Sequence, residues 1–554
     1  MLLAAGLLLY AWCVLFIAGN ATLAFFSKKI VHTTILAHPS IIIIIGMCSV
    51  TALVSILHLW LPISASIHFI VLSILASYTV MQRAFVATSF VLWWLEVKQY
   101  PIGYFLLFIV AVISITARTG SGDIADYHLQ GIKWAEQYNN IYGLGNFNKP
   151  LANNYWWFNI QAFFGLGFLG VSSVYVMNAI LFTAVISYCH HKFSKGEFAS
   201  FYLVLLCFMV LNINTAFIGA VTPDVCVNYI VFILFSIALD KSDRIDSLPI
   251  FMWIFAFIIT VKITAIMLVV LVAVFLTQRK QFIIGHFTQW LGYGILLGSL
   301  FFIPWFAGNI INSGYLFPLF NQLDLFDVDW KIPSHFIIHE REIITEWSKI
   351  PTEQVEITKE LTLAQWVPRW FVQYNLFNRG LIIASALGLL LFVGIIIWHL
   401  FKKVDVSKTN YFIIVLSAYA GLILLFFTSP QLRFMFGFLV VCIALVVQLL
   451  ITNIRLPQKY IQLGLASLIL VLLNTRIIAL HNKYDLQSVI VTPPDYPKSK
   501  EITLENWNTE MIYTTNLNNT CWDQFPCTYY LLQGTRLRGN TLKGGFKNTT
   551  HRIN

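Results

Sequence analysis

The chain has 554 residues, and only 35 Lys or Arg and 25 Asp or Glu among them, so its charged fraction is 11%. Soluble proteins carry about 25%, and with hydrophobic types at 58% and 46 Phe residues the composition excludes an ordinary soluble domain. It predicts an all-α polytopic membrane protein, and the net charge of +10, scattered through short loops rather than gathered into a stripe, excludes nucleic acid as a partner.

In chain order, apolar runs at 5–26, 36–58, 66–82 and 101–117 predict the membrane helices of an N-terminal region, 1–117. A first polar segment occupies 118–171, and six runs follow in a central region, 172–303: 172–189, 199–215, 223–239, 247–260, 262–277 and 283–303. After a second polar segment, 304–377, a C-terminal region at 378–479 holds runs at 378–398, 410–427, 430–450 and 461–479. A polar tail fills 480–554. A spanning helix needs roughly 20 residues, so the short pair between 247 and 277 reads as two tilted or broken helices or one bent one, and the expected count is 12 to 14 spans. Two further apolar pieces, 84–96 and 154–170, are rich in Trp and Phe and are expected to lie along an interface.

Lys28, Lys29, Arg83, Lys98, Lys192, Lys241, Arg244, Arg279, Lys280, Lys402, Lys403, Lys408, Arg455 and Lys459 fall on one side of a fourteen-span arrangement, which the positive-inside rule makes cytoplasmic. The polar segments and the tail then face outward. The second, with nine acidic against five basic residues over 304–376, suits that side. The first 26 residues lack the basic start of a signal peptide, so the first helix is expected to be retained. There is no detectable internal repeat. In the tail, CWDQFPC offers Cys521 and Cys527 as a disulfide, with two free thiols as the alternative, and no nearby His or Cys partners for zinc.

The chemistry concentrates at the ends of these runs. The stretch Arg118–Trp157 opens with Gly120, Ser121 and Gly122 and predicts a helix from about 124 to 138, with Asp123 as its cap and Asp126, Tyr127 and His128 in or just after the first turn. A carboxylate here could accept a proton from an attacking hydroxyl, and Asp126 is the preferred one; the alternative for each acid is a cap or a solvated surface group. Lys149, in GLGNFNKPLANN, could meet a phosphate or be a solvated base, and His128 reads first as a structural residue. Lys262 is the sole charge between Asp246 and Arg279, and a charge inside a span costs at least a few kcal/mol. If the pair of short runs forms a hairpin, Lys262 lies at its outer turn near Asp224, and the two either pair for folding or face a substrate cavity. Asp324, Asp327 and Asp329 could recruit a divalent cation but lack the spacing of an EF-hand. Arg341, Arg369 and Arg433 are candidate phosphate binders beside interfacial aromatics.

The combination of GDIADYHLQGIKWAEQY and GLGN (Gly122 to Asn146), TPD (Thr222 to Asp224), TVKITA (Thr260 to Ala265), PWFAGNIINSGYLFP (Pro304 to Pro318), SPQLRF (Ser429 to Phe434), CWDQFPC and LRGNTLKGGF (Leu537 to Phe546) resembles a family of largely uncharacterised bacterial multi-spanning proteins. Their plan is similar to that of the GT-C glycosyltransferase superfamily. The resemblance implies a multi-pass protein of the bacterial cytoplasmic membrane that transfers a sugar from a polyprenyl-phosphate carrier to a glycan, lipid or protein acceptor at the outer face. It casts Asp123 and Asp126 as the acidic element of the first outer loop, and Lys262, Arg341, Arg369 and Arg433 as phosphate binders, with membrane lipids as the surroundings; no cofactor is assigned beyond a divalent cation as an option. The sequence departs from the superfamily in placing several spans before the acidic loop and in reading Asp-Tyr where some relatives have Asp-Glu, which leaves the identity of the base open. A polar-lipid or glycan flippase and a non-catalytic assembly protein are the competing readings; the first expects repeats, and the second expects Asp123, Asp126 and Lys262 to tolerate neutral substitution.

Overall fold

The computed structural model describes residues 1–28, 37–118, 122–170, 174–214, 217–239, 247–320, 322–401, 409–451, 458–497, 503–507, 510–514, 520–528 and 530–549. Gly120, Ser121, Lys29, Lys241, Arg244, Asp246, Lys402, Lys403, Lys408 and Arg455 lie outside the described residues.

The N-terminal region folds as α1 (Leu2–Phe26), α2 (Pro39–His58), α3 (Ala65–Met81), α4 (Arg83–Gln99) and α5 (Pro101–Thr116). Where α1 crosses α2 the backbones touch: a Cβ on Gly19 would stand 1.9 Å from the Ile42 carbonyl oxygen, and one on Gly46 would stand 1.8 Å from that of Leu15. Small residues of this kind let apolar helices associate by close packing where lipid removes the hydrophobic drive. Helix α4 turns away from α3 by 91° at Gln82, so the 84–96 piece is an elbow helix that departs from the direction of α3.

The first polar segment begins with a wide turn at Ile124–His128, then α6 (Leu129–Gln137), α7 (Leu144–Phe147) and α8 (Trp156–Gly165). The expectation that 154–170 lies along an interface is overturned for its helical part. Every residue of α8 is buried, and Trp156 and Trp157 are fully so. Asn159 donates to Ser55 Oγ of α2 at 3.0 Å, and the Phe163 carbonyl meets His68 Nε2 of α3 at 2.5 Å. Asn159 and the Phe163 carbonyl thus find partners on neighbouring helices, which an interfacial helix would leave to water.

The central region contains α9 (Met177–Ser194), α10 (Phe198–Asn214), α11 (Pro223–Leu239), α12 (Ser247–Val261) and α13 (Val269–Gln278), then α14 (Lys280–Gly285), α15 (Phe287–Leu297) and α16 (Ile303–Ser313). Between α12 and α13 the chain makes a hairpin, one of the arrangements left open for the two short runs. Arg279 donates to Ser247 Oγ at 3.3 Å where the arms begin and end, Phe251 stacks on Phe275 at 4.1 Å, and Lys262 sits at the tip in extended backbone conformation.

The second polar segment carries α17 (Ser334–Glu342), α18 (Val355–Glu360) and α19 (Leu363–Val372), and the C-terminal region α20 (Leu376–Phe401), α21 (Thr409–Thr428), α22 (Leu432–Ile451) and α23 (Gln458–His481). Each of the fourteen apolar runs contains helix. Six described helices are long and apolar enough to cross a membrane, or seven if α3 and α4 count as one bent span, and six more apolar helices are shorter. The protein is therefore a helical, multi-pass membrane protein.

The tail adds the described strands β1 (Thr503–Trp507), β2 (Glu510–Thr514), β3 (Cys527–Thr528), β4 (Thr535–Leu537) and β5 (Phe546–Asn548). The pairs β1–β2 and β4–β5 are antiparallel, and β3 runs parallel to β2. The tail lies on the first polar segment. Trp522 N–H donates to the Ala125 carbonyl at 2.8 Å, and Gln130 donates to the carbonyls of Trp522 and Gln524 while accepting from Cys527 N–H at 3.0 Å. It reaches the second polar segment through Arg538, whose Nε lies 2.9 Å from Asp329.

Candidate functional site

Four elements from distant parts of the chain bring two ion pairs together. Asp224 is set by the start of α11: Thr222 Oγ1 accepts from Asp224 N–H at 3.4 Å and Pro223 occupies the first helical position, a favourable arrangement at a helix start that also welcomes an acid in the first turn. Lys262, at the tip of the α12–α13 hairpin, donates to the Asp224 carboxylate. Side-chain exposure is 15% for Lys262 and 14% for Asp224, so the pair is mostly withdrawn from water.

The second pair joins Arg433, in the first turn of α22, to Asp123, just before the wide turn at Ile124–His128. Arg433 is aimed from two sides. Its Nε donates to Gln431 Oε1 at 2.6 Å, while α19 and the residues just after it hold the preceding turn: Trp370 Nε1 donates to the Pro430 carbonyl at 2.6 Å and Leu432 N–H donates to Tyr374 Oη at 3.2 Å. This pair is more open than the first, with 37% of Arg433 and 26% of Asp123 exposed. The two pairs meet at Phe434, whose ring centre is 3.9 Å from Lys262 Nζ and 4.9 Å from the Arg433 guanidinium. A cation over an aromatic face gains on the order of 0.5–2 kcal/mol, so the ring supports both charges without neutralising either.

The expected cap role of Asp123 is corrected: its side chain makes no cap hydrogen bond and goes to Arg433 instead. An ion pair with a partly buried guanidinium is the stronger use of the carboxylate. Asp126 is buried on the turn behind, its Oδ2 3.6 Å from where a Cβ on Gly122 would stand. His128 is also buried, its Nδ1 without a hydrogen-bond partner among the described residues. Burial, opposed by Asp123 and Asp224 and aided by Lys262 and Arg433, lowers its pKa to about 4, so the ring is neutral at pH 7. The Tyr127 hydroxyl is pushed well up by burial and by Asp123 and stays protonated.

The other sequence candidates go elsewhere. Lys149 is buried and paired with Glu340 at 2.5 Å, a strap between the first polar segment and α17. Arg369 pairs with Glu353 at 3.0 Å and is half exposed, and Arg341 is partly exposed on α17. Asp324 accepts from Lys331, and Asp329 from Arg538, so two members of the acidic cluster serve ion pairs. Cys521 and Cys527 are bridged. Gln431, Phe434, Trp370 and Tyr374 were not singled out as site residues from the sequence; the SPQLRF motif was the one local signal for the first two. The assembled arrangement offers two cations, each balanced by one carboxylate, so that an incoming anion has to displace a carboxylate from its cation.

The family model described as Domain of unknown function (DUF8201) matches residues 1–440. That match takes in the first polar segment, Asp224, Lys262 and Arg433, and ends before the tail. No curated protein and no solved structure matches the chain.

Proposed function

The chain belongs to the DUF8201 family, and we propose that it is a GT-C-type glycosyltransferase of a bacterial cytoplasmic membrane, taking a sugar from a polyprenyl-phosphate carrier. The observation that carries the reading is the juxtaposition of Asp123–Arg433 with Asp224–Lys262 across Phe434. A lipid-linked sugar phosphate needs cations for its phosphate, apolar surroundings for its chain and a carboxylate on the acceptor side. The two cations and the carboxylate stand side by side here, which supports the reading.

The reaction follows from exchanging partners. The donor phosphate draws Arg433, the more exposed cation, away from Asp123, and Lys262 supplies a second positive charge. Asp123, released, takes the proton of an acceptor hydroxyl as its oxygen forms a bond to the anomeric carbon. The bond from that carbon to the phosphate oxygen breaks with its electron pair left on the phosphate, where Arg433 and Lys262 stabilise it. Asp126 is buried behind the turn, away from the acceptor. This reading moves the base from Asp126 to Asp123 because the base must reach an acceptor from solvent.

The test is mass spectrometry of surface glycans and lipid-linked intermediates in a strain deleted for the gene and complemented with wild type, Asp123→Asn or Asp126→Asn at equal membrane abundance. Wild type restores one missing sugar, Asp123→Asn leaves its lipid-linked donor accumulated, and unchanged glycans and lipid pools on deletion overturn the assignment.

A further inference from the structure

Three helices end on one spot far from the paired carboxylates. Asn178, near the start of α9, donates to the carbonyls of Ala220 and Thr222 beside Asp224, at 2.8 and 3.0 Å. His191 is 13 residues further along the same helix, about 20 Å away at roughly 1.5 Å per residue. There it meets His38, at the N-terminal end of α2, and Glu96, in the last turn of α4. One nitrogen or carboxylate oxygen from each of His38, Glu96 and His191 lies within 4.8 Å of the others.

The contacts are those of a donor set. His38 Nε2 is 2.7 Å from Glu96 Oε2, and the His38 and His191 rings have centres 4.1 Å apart. Side-chain exposure is 3% for His38 and 16% for Glu96. His190 Nδ1 stands 3.6 Å from Glu96 Oε1, and both its ring nitrogens are buried without a hydrogen-bond partner among the described residues. Tyr104 Oη donates to Glu96 Oε1 at 2.8 Å and lies 3.1 Å from Ser187 Oγ, so the carboxylate is oriented from behind. The nearby Lys192 is occupied by Glu197 at 2.5 Å.

We propose that His38, Glu96 and His191 bind a zinc-class divalent cation that ties the elbow helix α4 to the ends of α2 and α9. Two imidazoles and one carboxylate are borderline donors that suit Zn²⁺ rather than Mg²⁺ or Ca²⁺. Zinc–ligand bonds of about 2.0–2.2 Å place tetrahedral donors about 3.4 Å apart, within the spacing found here and reached by small side-chain rotations. Binding asks one proton to move. His38 Nδ1 accepts from Ser40 N–H at 3.3 Å, so the neutral ring carries its proton on Nε2 toward Glu96. On ligation that proton passes to Nδ1, the long contact to Ser40 is given up, and no proton leaves the ring. Glu96 keeps Tyr104 as its second-shell donor, and His190 or water fills the fourth position. A fixed α4 would hold the Trp93 and Trp94 stretch at a constant angle to the bundle. Without the ion, Glu96 ties the elbow to the end of α2 through His38 alone, beside its bond from Tyr104 of α5.

The test uses the full chain in detergent, purified without a polyhistidine tag, stripped with chelator and titrated with Zn²⁺ or Co²⁺. Bound metal is read by elemental mass spectrometry and by the visible absorption of tetrahedral Co²⁺. The expected result is about one equivalent per chain, weakened about tenfold or more in Glu96→Gln and in His191→Gln, both chosen because they keep size and polarity. Wild-type chain that retains no metal after gel filtration overturns the proposal, whatever the variants do. Undiminished binding in two variants that elute like wild type also overturns it, since other imidazoles then hold the ion.

Discussion

Arg433 reaches Asp123 across 310 residues of sequence, and the pair stands beside a second, Lys262 with Asp224, that spans 38. The two differ in exposure, and that difference separates what each contributes to folding from what it contributes to function.

For the exposed pair, solvent screening keeps the stabilisation small, about 0–1 kcal/mol. Arg433→Gln is therefore expected to shift the thermal midpoint of the detergent-solubilised protein little while abolishing sugar transfer. A midpoint drop as large as that of a core truncation would mean that Arg433 is structural. Arg433→Lys keeps the charge but not the fork geometry, and should retain partial turnover.

Removing one member of the buried pair leaves an uncompensated charge, which costs about 3–5 kcal/mol. Lys262→Met and Asp224→Leu should each deplete folded protein as read by fluorescence-detected gel filtration. The double substitution should recover most of it, because two apolar side chains leave no charge stranded. A double variant no better than either single one would show that the ion pair itself is needed for folding.

The pH response of the first polar segment follows from two buried groups of opposite sign. His128 has a folded pKa near 4, below its ordinary value, so the unfolded chain binds the extra proton; His128 contributes stability that is complete above about pH 6.5 and lost as pH falls toward 4. Glu136 is raised to about 7 by burial, opposed by Lys133, and its Oε1 has no partner among the described residues, so its contribution is complete below about pH 4.5 and lost as pH rises through 7. Thermal melts should show His128→Asn flattening the acid limb and Glu136→Gln raising the midpoint at pH 8 but not at pH 5. The reverse pattern would contradict both burials.

Gln130 is the anchor of the tail: three backbone groups of the Cys521–Cys527 loop bond to its one amide. Gln130→Leu strands those groups at about 1 kcal/mol or more each and should free the loop. Hydrogen exchange of residues 520–528 is expected to accelerate by at least about tenfold, with α20–α22 unchanged. Equal exchange in the variant would place the anchor elsewhere, in Trp522 or Lys133.

Much of the helical plan was legible in the sequence because long apolar runs have few alternatives in lipid, where the backbone must satisfy its own hydrogen bonds. That Lys262 needs a partner or an edge was also legible, since a lone charge inside a span is costly, but the sequence left open whether the two short runs fold as a hairpin. The placement of 154–170 was not. A Trp- and Phe-rich run looks the same whether it lies on an interface or in the core, and the distinction rests on Asn159 and His68 finding partners on other elements. Nor did spacing reveal that Lys149 serves Glu340 or that α19 steadies the turn before Arg433.

By itself the sequence determined a multi-pass helical chain, the ends at which its charges gather, and the residue types available there, all of which depend on composition and local periodicity. Only the tertiary structure decided which cation meets which carboxylate, that Asp123 pairs rather than caps, and that the tail rests on the first polar segment. Those choices depend on distances between residues far apart in the chain, and in a charge-poor chain the packing of helices decides which opposite charges come within reach of one another.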